Sequence, residues 1–125
     1  MMLLVALACV KEPTLDSGGF HVLGSTPVDG EADVVEVAVP EVRFSEAAGE
    51  DACAQATTLS VVNDRDEVVS AVQTTPAWSS ADQKLKLDHD IPLHTGYSYA
   101  LTVDGTCATP TGEVVAPFFA RFTVP

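Results

Sequence analysis

Basic residues are scarce in this sequence. Lys and Arg total 6 against 18 Asp and Glu, a formal charge of -12. A surface of that sign repels polyanions, so nucleic acid and an anionic membrane surface are excluded as partners. Long apolar runs are missing too. The one candidate, Met1 to Val10, is half the roughly 20 residues that a spanning helix needs. No Gly-x-Ser-x-Gly elbow or phosphate-cradling glycine loop occurs, and the His residues have no nucleophile at motif spacing. The only methionines are Met1 and Met2, which removes the axial ligand of a blue-copper site. These absences point away from an enzyme and call for no cofactor.

What is present is apolar enough to fold. Hydrophobic residues make up 46% of the 125 positions, which suits one globular domain with a modest core. The run Met1 to Val10 has signal-peptide length, although its start, Met-Met-Leu-Leu, is uncharged. It ends Ala6-Leu7-Ala8-Cys9, small residues of the kind a signal peptidase accepts. The Cys after them resembles the lipobox of bacterial lipoproteins, with Ala6 where that family usually has Leu. The resemblance implies cleavage before Cys9 and acylation of Cys9. An ordinary secretory signal and a buried first strand are the competing readings. Residues 1–8 are thus a signal-like segment and 9–19 a polar tether containing Pro13, Gly18 and Gly19. Fully extended, the tether reaches at most roughly 35 Å. The domain proper is expected over 20–125.

From Phe20 onward, short β-rich runs alternate with turn clusters. The expected strands are Phe20–Leu23, Val34–Ser45, Thr57–Val62, Val68–Thr74, Lys84–His89, Tyr97–Val103 and Phe118–Val124. Val42 and Phe44 share a face opposite Glu41 and Arg43. Leu85 and Leu87 oppose Lys84 and Lys86, and Tyr97, Tyr99, Leu101 and Val103 align on one face. Pro40 cannot donate to a ladder, so its run is an edge, a bulge or two strands joined by a switch. No helical period of useful length interrupts the pattern. Seven short strands in about 100 residues, with regularly spaced turns, predict an all-β, seven-stranded antiparallel Ig-like sandwich of Greek-key type.

A family likeness follows the same segments. Ser25-Thr26-Pro27-Val28-Asp29-Gly30, then Val42-Arg43-Phe44-Ser45-Glu46, then Leu93-His94-Thr95-Gly96-Tyr97-Ser98-Tyr99, and finally Arg121-Phe122-Thr123, resemble in order and spacing the bacterial Ig-like domain of the S-layer protein type. The resemblance spans Ser25 to Val124. The Cys pair and the acidic loops depart from that pattern.

Within it, Leu93-x-x-Gly96-x-x-Tyr99 predicts a tyrosine corner: Gly96 bends, Leu93 buries, and the Tyr99 hydroxyl returns to nearby backbone. Strands that alternate in direction put Cys53 and Cys107 at one end. With Cys9 lipidated, they form the remaining pair in an oxidising compartment. A disulfide is favoured there over zinc, because no His pair stands at finger spacing. The opposite end gathers Asp29, Glu31 and Asp33, Asp64, Asp66 and Glu67, and Asp90. Of these, Asp29, Asp33, Asp64 and Asp66 are weak calcium candidates, with plain solubility the favoured reading. His89 and His94 flank a turn with Asp88 and Asp90 and are read as solvated rather than metal-ligating. Trp78 is expected to cap the core, with stacking on a sugar or partner the lesser reading.

The expected function is a non-enzymatic, envelope-anchored module with a structural, adhesive or assembly role in a bacterium. It would be exported, held to the membrane through its lipid alone, and directed at an envelope or surface protein partner. A secreted module binding carbohydrate or calcium is the alternative. Fold does not choose between them, and the sequence does not fix an oligomeric state.

Overall fold

The computed structural model describes residues 19–125. Cys9, the signal-like segment and nearly all of the tether lie outside the described residues. Eight strands and one short helix follow one another: β1 (Val22–Thr26), β2 (Glu41–Phe44), α1 (Glu50–Ala56), β3 (Thr57–Val62), β4 (Val68–Ala71), β5 (Thr75–Ser79), β6 (Lys84–Asp88), β7 (Tyr97–Val103) and β8 (Phe118–Val124). They form two four-stranded sheets, ordered β8-β7-β3-β4 and β1-β2-β6-β5. Every strand pair is antiparallel. The result is an all-β Ig-like sandwich.

Alternation builds the core. Val42 and Phe44 of β2 face inward with Leu85 and Leu87 of β6, against Leu59, Tyr99, Leu101, Val103, Phe122 and Val124 of the other sheet. The facing aromatic rings of Tyr99 and Phe122 stack at 5.5 Å. Tyr97, at the strand's start, neighbours the Tyr99 ring at 6.5 Å but stacks on His94 at 4.4 Å and stays partly exposed.

The second expected strand is only partly a strand. Residues 34–40 bury only their two ends, Val34 and Pro40, while Val35, Glu36, Val37 and Val39 are exposed. They lack a partner strand because they cross from one sheet to the other. Val34 N–H donates to the Thr123 carbonyl of β8, whereas Pro40 accepts from Leu87 N–H of β6. Only after Pro40, which has no N–H to give, does pairing begin. β1 likewise starts two residues later than expected, at Val22, and carries a bulge between Val22 and Gly24.

Two elements were not visible in the pattern. The expected strand Val68–Thr74 is shorter, since β4 ends at Ala71, and the chain then passes to the other sheet, where an eighth, unexpected strand β5 pairs with β6 from Thr75↔Asp88 to Ser79↔Lys84. Pro76 fits there because β5 is the sheet's edge. The other is α1, a seven-residue helix, too short to be stable alone. It is held by tertiary contacts. Gly49 precedes it and donates its N–H to the Ala108 carbonyl at 2.8 Å. A Cβ on Gly49 would lie 2.6 Å from that same oxygen, so only glycine permits the approach. Glu50 and Asp51 occupy its first turn, where the helix dipole favours acids.

The two ends of the sandwich differ. At one, Cys53 of α1 is bonded to Cys107, Ala48 donates to the Asp82 carbonyl, and Phe20 accepts from Ala116. The described chain enters at this end, where Phe20 N–H also donates to the Glu113 carboxylate at 3.0 Å. The 27–40 segment, the β3–β4 turn and the β6–β7 loop lie at the other. Among the described residues no helix is long and apolar enough to cross a membrane.

Candidate functional site

The disulfide end is structural. Cys53 and Cys107 are both fully buried and joined across 54 positions, as the ordering of the strands led one to expect. Thr57 Oγ1 donates to the Cys53 carbonyl at 2.7 Å. On the other side, Asp104 accepts the backbone N–H of Thr106 at 2.8 Å and also its hydroxyl, shaping the turn that presents Cys107. Those two donors, the hydroxyl first, hold the Asp104 carboxyl below its ordinary value. Trp78 lies on this half of the molecule. It is a strand residue of β5 rather than a loop residue, and its ring sits 5.9 Å from Phe44, which stacks on Phe20 at 5.5 Å. Half-buried against the core, it closes the apolar interior.

The opposite end carries the acidic loops, and they do not assemble as one carboxylate cluster. Asp29 accepts the backbone N–H of Arg121 at 2.8 Å. Asp66 pairs with the Arg121 guanidinium, which also donates to the Asn63 carbonyl at 2.9 Å. Two of the loops are thus tied to β8 by one arginine. Asp33 and Asp64 are exposed. Glu31 accepts from Val28 N–H, and Glu67 pairs with Arg65. Among the described residues, no three His, Cys, Asp or Glu side chains group as a cation site. Asn63 opens the turn cluster Asn63-Asp64-Arg65-Asp66, and its Oδ1 accepts from both Arg65 and Glu67 N–H; the tie from Arg121 to that turn is not readable from sequence. No spacing signal marks a partner 58 positions away.

At this same end, in the β6–β7 loop, stands the tyrosine corner. Leu93 is buried, Gly96 has φ +82°, and the Tyr99 hydroxyl accepts the His94 N–H at 2.7 Å. The positive φ at Gly96 is the left-handed conformation that glycine adopts without penalty. Beside the corner opens a cleft of about 490 Å³ between the β4–β5 crossover and the β6–β7 loop, lined by Ala71, Gln73, Asp88, Asp90, Ile91 and Tyr99 among others. His89 braces this loop: its ring nitrogens face the carbonyl oxygens of Ile91 at 2.8 Å and Ala38 at 2.6 Å. His94 faces the Thr95 carbonyl and stacks on Tyr97. Both histidines are therefore occupied with their own loop. Exposed aliphatic residues continue outward from the cleft, with Ile91 80% and Val37 73% exposed.

Known proteins agree with this architecture. None of the curated proteins is similar enough in sequence to match. Among solved structures, the S-layer protein SbsC is similar at a TM-score of 0.58 and 11% identity, over 84% of this chain and 13% of that one. The chain therefore spans about one eighth of it. The methionine-rich copper resistance protein PcoC from Escherichia coli is similar at a TM-score of 0.63 and 14% identity, over 86% of this chain and 100% of that one. CopC from Methylosinus trichosporium OB3b follows at 0.55 and 15%, over 84% of this chain and 92% of its own. At these identities the likeness is one of fold. PcoC's methionine richness has no counterpart here, where the only methionines are Met1 and Met2, outside the described residues. A model of the bacterial Ig-like domain matches residues 16–124, and the chain belongs to that family.

Proposed function

We propose that this protein is a non-enzymatic Ig-like module of a bacterial envelope, anchored through a lipid on Cys9 and serving a structural, adhesive or assembly role. The observation that carries the reading is the point of entry. Phe20 is fixed at the disulfide end by Glu113 and Ala116, so the segment before it attaches there and the acidic end is presented outward. Repulsion from anionic headgroups favours the same orientation. The bacterial Ig-like family, and the presence of this fold in a surface-layer protein, support a place in the envelope.

The test is chemical. Cys9→Ser should move the protein from the membrane fraction to the soluble one, and the intact mass of protein from its native host should show cleavage before Cys9 plus acyl chains. Unchanged fractionation of Cys9→Ser, or an unacylated Cys9, would reject the anchor.

A further inference from the structure

We infer that the cleft beside the tyrosine corner, together with the free edge of β4, binds an extended basic peptide segment of a partner protein by strand addition. The inference extends the assembly reading above by naming the partner's chemistry, and it rests on three independent features.

The first is the backbone. Among the described residues β4 is the last strand of its sheet and has no neighbour beyond it. Val72 N–H donates to the Leu59 carbonyl, and Ala71 pairs opposite Ser60. Groups alternate along an antiparallel strand, so Ala71 turns its N–H and C=O away from β3 to the open edge. Native proteins blunt such edges with Lys or Pro. Val68-Val69-Ser70-Ala71 contains neither and is exposed throughout. The bulge at Val62 distorts the start of the strand and leaves the Ala71 side to pair, which makes the contact a short one.

The second is space. The edge runs directly into the cleft, since Ala71 and Gln73 line it together with Ile91 and Tyr99. About 490 Å³ is within the range of ligand pockets. It accepts one or two side chains of a strand laid along β4, with Ile91 supplying apolar contact. Main-chain bonds plus pockets for alternate side chains are the two components of strand addition.

The third is charge. Asp88 and Asp90 line the same cleft, and no Lys or Arg lines it. His89, between them, is engaged with backbone carbonyls and fixes the loop. A peptide with an aliphatic residue flanked by Lys or Arg matches this lining. A second copy of the chain, at -12, does not.

The probe is an eight-residue peptide alternating valine and lysine, titrated into the full-length protein while backbone amide shifts are followed. A glutamate-valine peptide is the control. Saturable shifts are expected at Ala71, Gln73 and Asp90, with none from the control. Asp88→Asn with Asp90→Asn should weaken the affinity at least about tenfold. Ala71→Pro deletes only an outward N–H and should abolish binding while unfolding stays cooperative. Should Ala71→Pro fail to fold, the Asp88→Asn and Asp90→Asn pair decides alone. No saturable binding, shifts confined to other acidic loops, or a folded Ala71→Pro protein with unchanged affinity would each overturn strand addition. Membrane release of Cys9→Ser is unaffected by any of these outcomes, so the anchor and the peptide site fail separately.

Discussion

The Tyr99 hydroxyl accepts the backbone N–H of His94 at 2.7 Å, five positions back along the chain. That bond fastens the β6–β7 loop to β7 just where the loop forms one wall of the cleft. Tyr99 is otherwise an apolar core residue, stacked on Phe122. Tyr99→Phe keeps the ring and removes only the acceptor, leaving a partly buried N–H unpaired. The expected loss is about 1–2 kcal/mol, read from urea unfolding. Faster hydrogen exchange at His94 should accompany it. An unchanged midpoint would show that water replaces the hydroxyl at no cost.

The bridge between Cys53 and Cys107 acts mainly on the unfolded chain. Closing a loop of 54 positions is worth about 4 kcal/mol on the chain-entropy model. The double variant Cys53→Ala, Cys107→Ala should lose most of that and should loosen α1, leaving it the backbone bonds from Gly49 to Ala108 and from Asp104 to Ala56. Peptide mapping without reduction should recover the linked pair from the native protein. Two free thiols in folded, oxidised protein would contradict the bridge.

How much of this was legible beforehand depended on whether a residue's role was local. Leu85 and Leu87, Val42 and Phe44 announce their buried face by alternation alone, and Leu93, Gly96 and Tyr99 by spacing within one corner. Residues 34–40 are as rich in valine, yet form no strand and leave Val35, Val37 and Val39 exposed, because pairing depends on a neighbour that the pattern does not encode. α1 escaped notice for a related reason: two turns of helix give no readable period, and its stability comes from Gly49 and a distant cysteine. Trp78 was rightly expected to meet the core but was placed in a loop, since Pro76 beside it reads as a breaker and is tolerated only at an edge. Arg121 is legible only as part of the closing Arg121-Phe122-Thr123 motif. Nothing in its own strand indicates that it joins Asp66 and Asn63 to β8.

Glu50 and Asp82 form a second, destabilising relationship. A hydrogen bond to Asp82 and its negative charge, with a smaller contribution from Asp51, raise the Glu50 carboxyl above its ordinary value. The folded state then holds that proton more tightly than the unfolded chain does. The penalty is fully present above the raised value and disappears as pH falls below the ordinary glutamate range. Asp82→Asn should therefore raise the melting temperature at neutral pH, with the difference fading in acid. Asn suits the site because residue 82 has φ +65°, a conformation Asn tolerates. Its carbonyl, which accepts from Ala48, is untouched. A pH-independent difference would place the effect elsewhere.

The last prediction separates the two ends. Trp78 closes the core at the half that holds the disulfide, whereas Asp33 and Asp64 stand exposed at the other. Asp29 and Asp66 are poor probes of that surface, since both are tied to Arg121 and their loss would also loosen the fold. Trp78→Ala should cost about 2–3 kcal/mol, below the full core value because the ring is only half-buried, and should leave the proposed contact with an envelope partner intact once the protein is folded. Asp33→Asn with Asp64→Asn should change stability by less than about 0.5 kcal/mol yet weaken that contact, most clearly at low salt, where surface charge is least screened. Urea unfolding, paired with binding of the purified protein to envelopes of its own host, measures both. If Trp78→Ala abolished binding in folded protein while the aspartate variants bound normally, the working surface would be the entry end. The acidic end would then have no part in the contact.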